Sequence, residues 1–309
     1  MKELTPILVR AAFPCQRNAE GMENRTLKLR AGNPDDAQIC GKICYEAFKT
    51  ISEQHNLSAD FTAVDAAYDL ISRLFARSDI YSVVAEVGGQ IVGSNFLWEE
   101  KIVAGIGPIT VAPNMQNANV GRHLMAAVLD RAGRQGFTSV RLVQAAYNNC
   151  SLALYTKLGF DVREPLVSIQ GQALGLKIPG YPVRLATTDD LADCNRLCRQ
   201  VHGFDRDRDL SQAIQQGTAT VVEDDNTIAG YATSLGFFGH AVGKSNENLK
   251  ALIGAATSFT GQGFLLPTRN SQLFRWCLQQ GLQVVEPMTL MSFGNYDRPT
   301  GAFLPSILF

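Results

Sequence analysis

Apolar Leu27, Leu29 and Ala31 alternate with polar neighbours, which predicts a strand. The period then changes. Asn33-Pro34-Asp35-Asp36 combines a capping side chain, a proline suited to a first turn and two acids for the positive end of a helix dipole. A helix should start there, with Ile39, Ile43 and Ala47 on one face. A second helix is predicted over 63–77. Strands follow over 81–87 and 90–98, joined at Gly88-Gly89 as a hairpin, and a third runs over 101–111. Leu124, Val128 and Leu129 then repeat at helical spacing up to Gly136. A strand over 139–145, a helix over 149–158 closed by Gly159 and a strand over 160–169 complete this half.

The stretch from Val111 to Arg122 therefore joins a strand to a helix start. Such a junction leaves main-chain N–H groups without partners, and the helix dipole adds about 0.3–2 kcal/mol for a bound negative charge. Its core, Gln116-x-x-Asn119-x-Gly121-Arg122, resembles the Q/R-x-x-G-x-G/A loop of the GNAT superfamily of N-acetyltransferases. Asn119 stands where the family has its first glycine; asparagine is one of the few other residues that accept a positive φ. Asn148-x-x-Ser151-x-x-Leu154-Tyr155-x-x-x-Gly159-Phe160 is similar to the family's N-x-x-A-x-x-L-Y-x-x-x-G-F segment. Both motifs fall in the right order and on the right elements, and the resemblance runs from Leu27 to about Ile169.

The resemblance implies an α/β protein with a mixed α+β sheet and acetyl-CoA as cosubstrate, without a metal. Gln116, Asn117, Ala118, Asn119, Val120, Gly121 and Arg122 would hold the pyrophosphate. Pantetheine would lie along Ile109 to Val111, with the Val111 region donating an N–H to the thioester carbonyl, and Asn148 and Ser151 would flank the arm. Tyr155 would be the general acid. Many relatives place a glutamate base at the position held here by Gly105, which cannot serve. Glu46, Trp98, Glu99 and Glu100 are the acceptor-side candidates, with His55 and Asp60 in the same helix–loop region, although a solvated surface group is the blander reading of each acid. The implied reaction is direct acetyl transfer to a small amine or amino-acid-like acceptor. The competing reading is a non-catalytic acyl-CoA sensor or scaffold of the same fold.

Gly171 to Pro182, rich in glycine and proline, reads as a linker, after which the pattern restarts. Arg184-x4-Asp189-Asp190-x3-Cys194-x3-Cys198 echoes Arg30-x4-Asp35-Asp36-x3-Cys40-x3-Cys44. Asn270 with Gly281-Leu282 echoes Asn148 with Gly159-Phe160. An internal repeat implies two tandem GNAT-like (acyl-CoA N-acyltransferase) domains. The expected divisions are a loosely ordered extension over 1–26, an acetyl-CoA domain over 27–170, a linker over 171–182 and a degenerate copy over 183–309. The copy passes from Ala241-Val242 through Gly243-Lys244-Ser245 straight into a helix, without a phosphate loop, and Cys277 replaces Tyr155.

Composition narrows the remaining choices. Among 309 residues, 28 are Lys or Arg and 29 are Asp or Glu, a balance that argues against nucleic acid or an anionic membrane as a partner. Hydrophobic content of 46% and a mean hydropathy of −0.02 fit a globular chain. The odd count of seven cysteines suggests reduced thiols and a cytoplasmic setting. Cys40/Cys44 and Cys194/Cys198 read as core thiols rather than zinc ligands. The first 25 residues mix arginine with glutamate, unlike a transit peptide, and Met22 is an alternative start. Asp205 to Asp209 reads as a solvated loop. The apolar stretch from Met288 to Phe309 should pack on the domain interface or on a partner, a second copy of the chain included.

Overall fold

The structure, a computed structural model, describes residues 26–309. The expectation of a loosely ordered extension therefore falls, apart from Thr26, outside the described residues. The first half runs β1 (Leu27–Ala31), α1 (Ala37–Gln54), α2 (Val64–Ala76), β2 (Ile80–Val87), β3 (Gln90–Glu99), β4 (Val103–Ile106), β5 (Thr110–Val111), α3 (Val120–Gln135), β6 (Ser139–Ala145), α4 (Asn149–Lys157) and β7 (Asp161–Gln170). The second runs β8 (Val183–Leu185), α5 (Leu191–His202), α6 (Asp207–Gln215), β9 (Thr220–Asp224), β10 (Thr227–Ala232), β11 (Ala241–Gly243), α7 (Asn246–Ala255), β12 (Phe264–Pro267), α8 (Ser271–Gln279), β13 (Gln283–Gly294) and β14 (Ala302–Leu304). The strand expected over 101–111 is in fact two. It breaks at Gly107, whose φ of +141° suits glycine and little else.

The repeat is visible atom by atom. Arg30 forms a fork with Asp36 (2.7 and 2.8 Å) and also reaches Glu86 at 2.8 Å. Arg184 does the same with Asp190 (2.7 and 2.8 Å) and Glu223 (2.8 Å). Each cluster ties a first strand to the start of its first helix and to the neighbouring strand. Cys40, Cys44, Cys194 and Cys198 are buried on those helices, as expected of core thiols.

The sheets do not divide where the repeat does. A nine-stranded sheet has the order β1-β2-β3-β4-β6-β13-β7-β12, with β5 paired to β3. β13 of the second half lies between β6 and β7, with Met288 opposite both Ala145 and Leu166. β7 of the first half lies between β13 and β12, with Ile169 opposite Phe264. Each half thus places its last long strand in the other's sheet. This pairs both edges of each strand, a need that a buried strand must meet. A separate sheet, β14-β11-β10-β9-β8, completes the second half.

On one face of the large sheet, α3 and α4 bury Leu124, Val128, Tyr155 and Phe160 against Val83, Leu97 and Leu142. On the other, α1 and α2 bury Cys44 and Ile71 against Phe96. The apolar end of the chain packs inside the molecule: Leu308 and Phe309 meet Val103, Leu265, Met288 and Leu290. Asp205 to Asp209 is not the solvated loop expected from its charges. Arg206 is only 4% exposed, pairs with Asp209 at 2.6 Å and donates to the Phe309 main-chain oxygen at 2.8 Å.

Candidate active site

The β4–β6 ladder is parallel and stops at Gly105 opposite Arg141. Beyond the break at Gly107, β5 pairs only with β3, and β6 continues against β13. The two central strands therefore part, leaving a gap between β5 and the end of β6. Trp98 helps to hold the bend, because its indole N–H donates to the Gly107 carbonyl at 2.8 Å. Gly93 lets β5 lie close against β3, since a Cβ there would sit 2.7 Å from the Thr110 carbonyl oxygen. The Ala112 N–H donates to Val92 at 2.9 Å, so strand alternation turns the N–H of Val111 away from β3 and into the gap.

The loop leads from this strand into α3. Asn117 and Asn119 adopt φ values of +66° and +63°, the left-handed conformation expected for Asn119 as a glycine substitute. Asn119 is the N-cap residue of α3 yet makes no side-chain capping bond, so the helix start keeps its main-chain donors for a ligand. Gln116 Nε2 reaches the Val111 carbonyl at 3.4 Å. Gly121 is not demanded by packing: a Cβ there would meet only Leu154 at 3.4 Å and Val111 at 3.9 Å, ordinary contacts. Close approach of a ligand is the remaining reason for a glycine. Arg122 is exposed beside it.

Across the gap, Asn148 caps α4 by accepting the Ser151 N–H at 3.1 Å. Tyr155 follows one turn later, facing the core shared by α3 and α4. Burial pushes its phenol up to about 12, with the Ser151 hydroxyl pulling the other way. The group is therefore a proton donor throughout the neutral range. Gln144, the next-to-last residue of β6 before this segment, is 6% exposed and neither atom of its amide finds a partner. By alternation it shares the strand face of Val140 and Leu142, the side of α3 and α4.

Residues 45–160 match the model of the acetyltransferase (GNAT) family. The match places a GNAT domain within the first half of the chain. No curated protein sequence matches the chain. Among solved structures, a Pyrococcus horikoshii protein assigned provisionally as an acetyltransferase is similar over 92% of this chain and 95% of its own, with 16% identity and a TM-score of 0.69. A GCN5-related N-acetyltransferase from Sphaerobacter thermophilus covers 88% and is itself covered to 96%, at 12% identity and a TM-score of 0.58. A tandem GNAT protein from the clavulanic acid biosynthesis pathway covers 88% and is covered completely, at 13% identity and a TM-score of 0.53. At such low identities these likenesses, which run through both halves, show a shared fold.

Around the gap, the acceptor-side candidates scatter. Glu99 is engaged by Arg131 of α3 at 2.7 and 3.0 Å, and Trp98 serves the bend under the Arg77 guanidinium. Burial raises Glu100, with Asp209 adding to the effect. Glu46 lines an open groove of 880 Å³ between α1, α2, the start of β3 and the Pro113–Met115 turn. Gly105 is closed off as well, because the ring of Phe309 and Leu308 lie 3.1–3.2 Å from where a Cβ would stand. Two residues absent from the sequence-based candidates gather near Asp60 instead. The Tyr147 hydroxyl, beside Asn148, donates to Glu286 of β13 at 2.8 Å, and the His55 ring lies tilted with its centre 4.9 Å from that of the Tyr147 ring. The sequence signal for Glu286 is a lone acid inside the apolar run from Val284 to Leu290. No helix among the described residues is long and apolar enough to cross a membrane.

Proposed function

We propose that the chain is an acetyl-CoA-dependent N-acetyltransferase that transfers directly to a small amine or amino-acid-like acceptor. The observation that carries this reading is the parted pair β5/β6, with the Val111 N–H turned into the gap and an uncapped helix start at one end. The α3 amides and Arg122 would hold the pyrophosphate. Gln144, an amide with no partner of its own, fits a pantetheine amide better than it fits an empty core. The Val111 N–H would stabilise the oxyanion that develops as the amine attacks; a donor of this kind is typically worth about 2.7–4 kcal/mol. Tyr155 would give its proton to the leaving thiolate, a step worth about 10²–10⁴-fold. The second half would be a non-catalytic copy that completes the first half's sheet.

Calorimetry with acetyl-CoA and thiol release over a panel of amines test the proposal. Tyr155→Phe should keep acetyl-CoA affinity while release slows by at least about 10²-fold. Binding without release on any amine would favour a sensor instead, and absence of binding would end both readings.

A further inference from the structure

Four carboxylate side chains are buried among the described residues: Asp36, Glu164, Asp190 and Glu286. Three of them meet an arginine, in the pairs Arg30–Asp36, Arg269–Glu164 and Arg184–Asp190. Glu286 has only the Tyr147 hydroxyl and, close by, a second acid. That acid, Asp60, lies in the α1–α2 loop, where it accepts from Ser52 at 3.0 Å and from Gln262 of the second half at 2.6 Å. Both are raised chiefly by burial, Glu286 to about 7, and the charge of Asp60 adds to the rise at Glu286. A buried acid held without a cation is costly unless something positive visits it.

Its place in the fold is equally specific. Met288 and Leu290 follow it at alternate positions on one face of β13 and pack with the end of the chain, the face opposite α3 and α4. Tyr147 lies three residues beyond Gln144, whose unpartnered amide occupies the other face of β6. The donor side and the acid side are thus opposite faces of the same parted strands. The groups around Glu286 are Tyr147 at the end of β6, Asp60 and Ser52 from α1 and its loop, His55 against Tyr147, and Ser168 of β7, whose hydroxyl accepts the Glu286 N–H at 3.2 Å. Within this set there is no arginine or lysine.

We propose that Glu286, a residue of the second half, is the general base of the first half's active site, and that with Asp60 and Tyr147 it selects acceptors that arrive as ammonium ions. The inference rests on the acetyltransferase reading above. Glu286 takes one proton from the ammonium, freeing the nitrogen lone pair. The nitrogen bonds to the thioester carbonyl carbon, the C–S bond breaks, and the thiolate leaves with the Tyr155 proton. The second amine proton departs to water and Tyr155 recovers one, so ammonium and thioester become amide, thiol and one released proton. A base with a pKa near neutrality is well matched to that task. The fold exchange then has a chemical purpose: β13 carries the base into a site that lacks one at Gly105.

The test uses the full chain, with Glu286→Gln, Asp60→Asn and Tyr147→Phe. n-Butylamine should raise the melting temperature of the wild type at pH 7.5 while neutral 1-butanol does not. Glu286→Gln and Asp60→Asn should abolish that difference, and all three variants should bind acetyl-CoA as the wild type does. With any amine that turns over, kcat/KM should rise with pH to a plateau set near pH 7. Glu286→Gln should lose about 10²-fold and the rising limb together, and Glu286→Asp should recover part of both. Equal stabilisation of wild type and Glu286→Gln by butylamine, or an unchanged pH profile in that variant, would overturn the assignment. If acetyl-CoA does not bind the wild type, the acetyltransferase reading fails, while the butylamine experiment still reports on the acid pair.

Discussion

The two halves start from one plan and end with different helix starts. In the first, Asn119 caps α3 without a side-chain bond, and the strands beside it part around a gap. In the second, Ser245 and Asn248 form a capping box at the corresponding helix, α7, with the Ser245 N–H donating to Asn248 at 2.9 Å. That helix satisfies its own first turn and leaves less for an anion. The gap beside it is filled too. β14, from the end of the chain, pairs with β11 and buries Leu304 against Phe264 and Leu266 of β12 and its surroundings. Cys277 stands where the first half has Tyr155, deep in the core, with its thiol pushed up to about 12 by burial. A binding cleft is thus an unfilled place in the core, and the second copy has filled its own.

The largest effect should come from reopening the second cleft. Truncation after Asp297 removes the buried Phe303, Leu304, Leu308 and Phe309. At about 1.5–3 kcal/mol for each fully buried side chain, the gross loss rivals the stability of a whole domain. Melting should fall steeply, and hydrogen exchange should accelerate first in β11 and β12. Unchanged melting would mean that the end of the chain does not serve as the filling.

A smaller effect separates a functional acid from the structural ones. The Glu286 carboxyl titrates near 7 in the fold against 4.5 for an ordinary glutamate. Between those values the folded chain holds a proton that the unfolded chain has released, so stability falls as pH rises through this window. The full penalty, on the order of 3 kcal/mol, applies above pH 7 and vanishes below 4.5. Glu286→Gln should therefore be more stable than the wild type in urea at pH 8 and indistinguishable at low pH. The Arg184-paired Asp190, lowered by its guanidinium partner, should behave oppositely: its contribution is present above the ordinary carboxylate range and lost as pH falls. A Glu286→Gln difference that does not change with pH would place the penalty elsewhere.

The smallest effect concerns the loop. Asn119→Gly should leave stability and acetyl-CoA affinity nearly unchanged. Asn119→Val forces a β-branched side chain into the left-handed region and should cost about 1–2 kcal/mol, with a larger loss of acetyl-CoA affinity by calorimetry. Equal affinity for both variants would show that the main chain of this bend does not hold the ligand.

Much of this was legible in the sequence because it depends on neighbours along the chain. Period, capping residues and glycines fixed the helices and hairpins, and the repeated Arg–Asp spacing announced two copies. The left-handed asparagine was readable from the motif, and Tyr155 was singled out as a candidate by the family resemblance of the Asn148 to Phe160 segment. Asp60 was visible only as one acid among several. Other features required the third dimension. The exchange of β7 and β13 depends on which strand edges meet, and two similar edges offer no local code for choosing the partner copy. The burial of Arg206 follows from a contact with Phe309, a hundred residues away, which its charged neighbours Asp205, Asp207 and Asp209 conceal. The acid pair arises for the same reason: Glu286 and Asp60 are 226 positions apart (286 − 60), and only the folded sheet, by burying them near each other with no arginine between, gives either of them an unusual proton affinity.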